Sequence, residues 1–227
     1  MLYQAGSSGR GQAFAARHAE CVFVSSQTKE GLRKLVAEVR ESVAREGRNP
    51  RDIKFFMGVT AVVGRTQAEA REKHAEYLRY ANPEAGLAHY ASSTGIDFSR
   101  YGAQEPIRYV KNNAIESAVK NLTVTRTDRT VTDLLADMAL GGRYPALVGS
   151  AAQVADELES WVAETDIDGF NLARTVTPEC YGDFIDLVIP ELQSRGSYKT
   201  AYAEGPLREK LFGAGRAELP VEHVGRR

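Results

Sequence analysis

The sequence predicts an α/β fold: a parallel sheet with helices packed on it, built from about four βα units and one helical insertion. Three observations carry this. Short apolar or β-branched runs alternate with segments of helical period. The connections are short and hold glycine, asparagine, proline or capping residues. The stretch from about 84 to 148 breaks the alternation and offers only small helical pieces and loops.

Leu2 to Ala5 is a short apolar strand, followed by the turn Gly6-Ser7-Ser8-Gly9-Arg10-Gly11. Gln12 to Glu20 places Phe14, Ala15 and His18 on one face of a short helix. Cys21 to Val24 is a buried strand of apolar residues. Ser25 to Thr28 supplies caps for a helix over about Lys29–Glu46, with Leu32, Leu35, Val36, Val39 and Val43 on one stripe. Gly47 ends it and Asn49-Pro50 confirms the stop. Ile53 to Val63, rich in β-branched and aromatic residues, is the strongest strand.

Thr66-Gln67-Ala68-Glu69 reads as a capping box for a helix reaching about Tyr80, which Asn82-Pro83 stops. In the insertion, Ile107–Asn121 and Val131–Leu140 are helical pieces, and no strand is expected there. Ser150 with Gln153 opens a helix to about Thr165. Gly169 to Ala173 is a strand, and Pro178 to Ser194 is a helix that Pro190 should kink. Residues 1–203 then form one domain, with 204–227 as a C-terminal tail.

Such βα repeats imply right-handed crossovers. A closed (β/α) barrel has eight strands, so four strands equal half of one. An open doubly wound sheet with the insertion as a cap fits the same pattern.

The charge balance is close to even, 29 Lys+Arg against 30 Asp+Glu. This favours neither nucleic acid nor an anionic membrane surface as partner. No apolar run approaches the length of a membrane span. The first residues lack the basic and apolar regions of a secretory signal. Cys21 and Cys180 have no ligand or disulfide spacing, as expected of thiols in a reducing cytoplasm.

Between a strand and a helix, the Gly6–Gly11 turn suits a phosphate. Helix-start amides and the helix dipole favour an anion, small residues permit close approach, Ser7 and Ser8 carry hydroxyls, and Arg10 can add a charge. The spacing is neither GxGxxG nor a P-loop. Read locally, the turn serves equally as a phosphate cradle or as a plain helix cap.

The run Tyr3 to Gly11, continuing through Phe14 to Glu20 and Val22-Phe23, resembles the nitrilotriacetate monooxygenase, dibenzothiophene-sulfone monooxygenase and pristinamycin synthase group of the bacterial-luciferase-like flavin monooxygenases. Leu147 to Leu158, Asp168 to Leu172 and Leu207 to Gly213 are similar to later segments of that group. The resemblance implies the C-terminal half of a TIM barrel. It also implies a monooxygenase that uses reduced FMN, supplied by a separate flavin reductase, and O2 to oxygenate a small organic substrate. It assigns Ser7 and Ser8 to the FMN phosphate and Ala5 and Gly6 to the flavin, with Arg10 beside them. The insertion becomes a lid over the substrate mouth.

The strand beginning at Leu2 further implies that four earlier βα units, with most catalytic groups, lie outside this chain. Self-association or a separate N-terminal half would then close the barrel. No catalytic residue is assigned, and a non-catalytic FMN- or phosphate-binding half-barrel is the alternative.

Other residues carry weaker signals. His18 reads as a packing or capping histidine, His74 and His89 as solvated, and His223 as an inert tail residue. Asp166 and Asp168 read as loop carboxylates. Tyr90, Tyr101 and Tyr109 either line a substrate pocket or hold the small helices down. Arg174, just past the last strand, is a candidate second anion contact.

Overall fold

The computed structural model describes residues 1–6, 8–107, 130–140 and 144–226. The chain separates into two compact units. One comprises Met1–Met57, Ala155–Asn171 and Val188–Arg227, the other Gly58–Val154 and Leu172–Leu187.

The first unit starts with β1 (Tyr3–Ala5), α1 (Gly9–His18), β2 (Cys21–Val24) and α2 (Lys29–Arg45). β1 and β2 run parallel with Tyr3 opposite Cys21, and β2 runs parallel to the start of β3 (Lys54–Gly64) with Cys21 opposite Lys54. The Thr28 hydroxyl caps α2 by accepting from the Gly31 amide. Leu32, Val36, Val39 and Val43 then recur at helical spacing and are buried, as are Val22, Val24, Phe55 and Met57. Burying each large apolar side chain contributes about 1.5–3 kcal/mol, so the stripe holds α2 firmly.

Polar residues lock this core at several points. The half-buried guanidinium of Arg48 donates to the carbonyls of Ala16 at 2.6 Å and Ala19 at 2.7 Å, closing the C-terminal end of α1. Arg40, stacked 5.0 Å from the Phe55 ring, donates to the Asp166 carboxylate at 2.7 Å and to the Pro50 carbonyl at 2.6 Å. Asp168 accepts from Lys54 at 2.8 Å and from the Phe55 amide at 2.9 Å. The two aspartates expected as loop carboxylates are thus struts beneath β3 and β5 (Gly169–Ala173).

In the second unit, the rest of β3 pairs in parallel with β4 (Ala146–Ser150), Thr60 opposite Ala146 and Gly64 opposite Ser150. β4 corrects the expectation that the stretch from about 84 to 148 holds no strand. It is short and ends in Gly149-Ser150, which reads as the cap of α6 (Ala151–Thr165). The cap exists as well: Gln153 accepts from the Ser150 amide at 3.0 Å. The strand order is β1-β2-β3-β4, with β5 also on β3.

α3 (Gln67–Tyr80) lies against β4. Pro83, expected to mark a stop, also opens α4 (Pro83–Thr94), because its fixed φ suits the first helical position. α4 packs on α5 (Val131–Met138) over a small core of Ile96, Phe98, Ile107, Val131 and Leu134. Tyr90 stacks on Phe98 at 6.1 Å and Tyr101 joins this core, so both hold the small helices down. Tyr109 and most of the helix expected over 107–121 lie outside the described residues.

The expected kink at Pro190 takes the form of a π-helical turn, Phe184–Val188, between α7 (Glu179–Asp183) and α8 (Ile189–Ser194). Proline lacks the N–H that would continue the α-helical ladder. No helix among the described residues is long and apolar enough to cross a membrane.

Candidate functional site

α1 begins at Gly9, three residues before the expected start at Gln12, because Ser8 serves as its N-cap. The Ser8 hydroxyl accepts from the Gly11 amide at 3.2 Å and its carbonyl accepts from the Gln12 amide at 2.8 Å. The Gly9 and Arg10 amides head the first turn, where no intrahelical acceptor exists. That turn carries no acidic side chain, and Gly9 and Arg10 are exposed.

Two glycines shape the approach. Gly6 has φ +139°, a conformation that favours glycine. A Cβ on Gly11 would stand 2.8 Å from the Gly6 carbonyl oxygen, whereas one on Gly9 would meet nothing within 4 Å. The chain therefore folds tightly back on itself at Gly11 and stays open at Gly9.

Of the residues singled out from sequence, Ala5, Gly6, Ser8 and Arg10 share this strand–turn–helix, and Ser7 lies outside the described residues. Ser8 has a structural duty as cap. Arg174 is exposed just past β5. His18 stacks near Phe14, ring centroids 4.6 Å apart, which fits a packing role. His89 is exposed and His74 half-buried. His223 departs from expectation: it is 5% exposed, and burial holds its imidazole below the usual histidine range.

Sequence reasoning missed a buried ion pair at the start of β2. Glu20 and Arg208 are both buried, and Arg208 Nε donates to Glu20 Oε1 at 2.6 Å. The other Glu20 oxygen accepts from the Leu2 amide at 3.0 Å. Arg208, on α9 (Leu207–Phe212), also donates to the Arg216 carbonyl and stacks 5.0 Å from the Phe212 ring. The available signal was a lone carboxylate set between Ala19 and the apolar strand Cys21–Val24. Its partner is 188 residues away and has no local signature. The motif Leu207–Gly213, which had no physical account in the sequence, owes its arginine to this contact.

The profile of the family described as luciferase-like monooxygenase matches residues 2–168. Dimethyl-sulfide monooxygenase from Hyphomicrobium sulfonivorans is 42% identical over 225 residues, covering 98% of this chain and 47% of the relative. Nitrilotriacetate monooxygenase component A from Aminobacter aminovorans is 31% identical over 216 residues, covering 93% of this chain and 48% of the relative. The crystal structure of a riboflavin lyase with modified FMN and riboflavin superposes with TM-score 0.89 at 35% identity, covering 99% of this chain and 49% of that one. The chain thus spans about half the length of the relatives it matches.

Proposed function

The chain belongs to the luciferase-like monooxygenase family, and on that premise we propose that it supplies the phosphate-binding side of an FMN-dependent monooxygenase. The reaction is oxygenation of a small organic substrate with O2, with reduced FMN delivered by a separate flavin reductase. The word "component" in the name of one relative and the modified FMN in one structural neighbour support this reading.

The observation that carries it is the Gly6–Gly11 turn. An anion fits here: the first turn of α1 is free of acidic side chains, Gly9 is open, and Arg10 is exposed. The Gly9 and Arg10 amides and the Ser8 hydroxyl would donate to the phosphate oxygens, with Ser7 and the Arg10 guanidinium beside them. Ala5 and Gly6 would leave room for the flavin. Bound reduced FMN supplies the two electrons that let one oxygen atom of O2 enter the substrate and the other leave as water. This chain's own contribution is to fix the cofactor's position. The structure holds α1 still for that task, because Ser8 caps one end and Arg48 the other.

Fluorescence titration with FMN tests the cradle. Ser8→Ala removes both cap and ligand contact, whereas Ser8→Asn retains a capping side chain. Weakened binding in both variants is expected. Normal binding by Ser8→Asn would reduce Ser8 to a cap. Turnover with a flavin reductase, NADH and O2 then separates an enzyme from a half-barrel that holds FMN or phosphate without chemistry.

A further inference from the structure

We propose that His223 is an acid-released latch, whose protonation frees the segment around residues 219–226 from α1. This goes beyond the flavin reading and does not depend on it.

The segment is built around one imidazole. The His223 amide donates to the Pro220 carbonyl at 3.0 Å, and the His223 carbonyl accepts from the Arg226 amide at 2.9 Å. Nδ1 accepts from the Gly225 amide at 3.0 Å, which places the ring proton on Nε2. Nε2 is itself buried and has no hydrogen-bond partner among the described residues. A Cβ on Gly225 would meet the His223 ring at 3.2 Å and Leu2 at 3.3 Å, so the turn is packed against the start of the chain.

This arrangement accepts only the neutral ring. A proton on Nδ1 would point at the Gly225 N–H, so an accepted hydrogen bond becomes a clash of two donors. The charge would also be buried. The facing groups are Arg48, after α2, and the His18 ring, at the end of α1, which oppose a cation, and Glu20 and the His18 backbone, which favour one. Glu20 already accepts from Arg208. Burial and Arg48 therefore prevail.

The rest of the segment is held by contacts of another kind. Arg216 pairs with Asp52 at 2.8 Å, and Arg226 pairs with Glu218 at 2.9 Å and donates to the Leu219 carbonyl at 2.6 Å. Carboxylates as a class titrate near pH 4, well below histidine. Between pH 7.5 and 5, the range in which imidazoles take up a proton, these carboxylate contacts stay in place.

The sign follows from linkage. The docked segment binds the proton less well than the released one. Docking is complete above the free-histidine value of about 6.5 and is lost as pH falls below it. The docking constant falls by up to about tenfold per pH unit until the docked ring itself is protonated.

The test is NMR of the full chain from pH 7.5 to 5. Imidazole resonances are assigned with His223→Gln, and backbone amides of Gly225 and Arg226 are followed alongside. The latch requires that the His223 ring and these amides move with one midpoint below 6.5. It also requires that the amides stay fixed in His223→Gln, and that His18→Gln leaves the transition in place. A His223 midpoint at or above 6.5, amides that ignore it, or an unchanged transition in His223→Gln would overturn it. If His223→Gln is undocked at every pH, the wild-type comparison decides: coincident midpoints support the latch and separated ones refute it.

Discussion

Adding one methyl group at each of two neighbouring glycines separates a built cradle from a generic helix start. At Gly11 the new Cβ stands 2.8 Å from the Gly6 carbonyl oxygen. Ordinary contact needs roughly 0.7 Å more, so either Gly6 or the first turn of α1 must move. Such overpacking costs about 1–3 kcal/mol. The better helix propensity of alanine returns about 1 kcal/mol, leaving Gly11→Ala destabilised by about 0–2 kcal/mol in urea denaturation. Its effect on FMN is larger. Displaced amides lose the equivalent of one charge-assisted hydrogen bond, about 1.5–3 kcal/mol, or about 10–150-fold in Kd. Gly9→Ala is the matched control, since its Cβ meets nothing within 4 Å. It should gain up to about 1 kcal/mol in stability, which isolates the cost of crowding at Gly11. FMN fluorescence titration reads the effect on binding. Unchanged affinity in Gly11→Ala would refute the cradle.

Three further outcomes follow from packing and charge. Arg208→Met leaves buried Glu20 with only the N-terminal ammonium, 3.6 Å away, as cation and should cost about 3 kcal/mol in urea denaturation, and adding Glu20→Gln should recover part of that. Gly58→Ala drives a Cβ to 2.1 Å from the Tyr144 ring. It should cost about 3 kcal/mol, the top of the usual overpacking range, with Gly58→Ala/Tyr144→Ala less destabilised than the sum of the single changes. Burial pushes the Asp166 carboxyl up, but the hydrogen bond from Arg51 and the charges of Arg40 and Arg51 outweigh this and hold it below the usual range. Its contribution is present above about pH 3.8 and is lost as pH falls further. Asp166→Asn tolerates the φ of +59° found there, so its loss of about 1–2 kcal/mol at pH 7 should shrink at pH 3 in thermal denaturation.

Elements with long, uninterrupted patterns were legible from sequence. α2 shows its stripe over four turns, and β3 its β-branched run, so both fall within a residue or two of expectation. β4 was lost because Gly149-Ser150 belongs to a strand end and a helix cap at once. The start of α1 was placed late because Gly9 and Gly11 are poor helix formers that the fold needs for space rather than propensity. At the candidate site, the turn is local and could be read. The contacts at the other end of α1 could not: Arg48, Arg208 and His223 come to residues around His18–Glu20 from distant parts of the chain, and a lone basic residue leaves no periodic trace.

The two ends of α1 are treated unequally. Arg48 sits on the carbonyl end, while the amide end at Gly9 and Arg10 faces solvent. The negative pole of the helix is thus largely compensated and the positive pole is not. Outward from Gly9, the helix behaves more like a single partial positive charge than like a dipole, with a field that decays more slowly with distance. That field is limited by mobile ions, which screen it within about 10 Å at 0.1 M salt. Capture of a phosphate by this end should therefore slow as ionic strength rises, while release, governed by short contacts inside the turn, should respond much less.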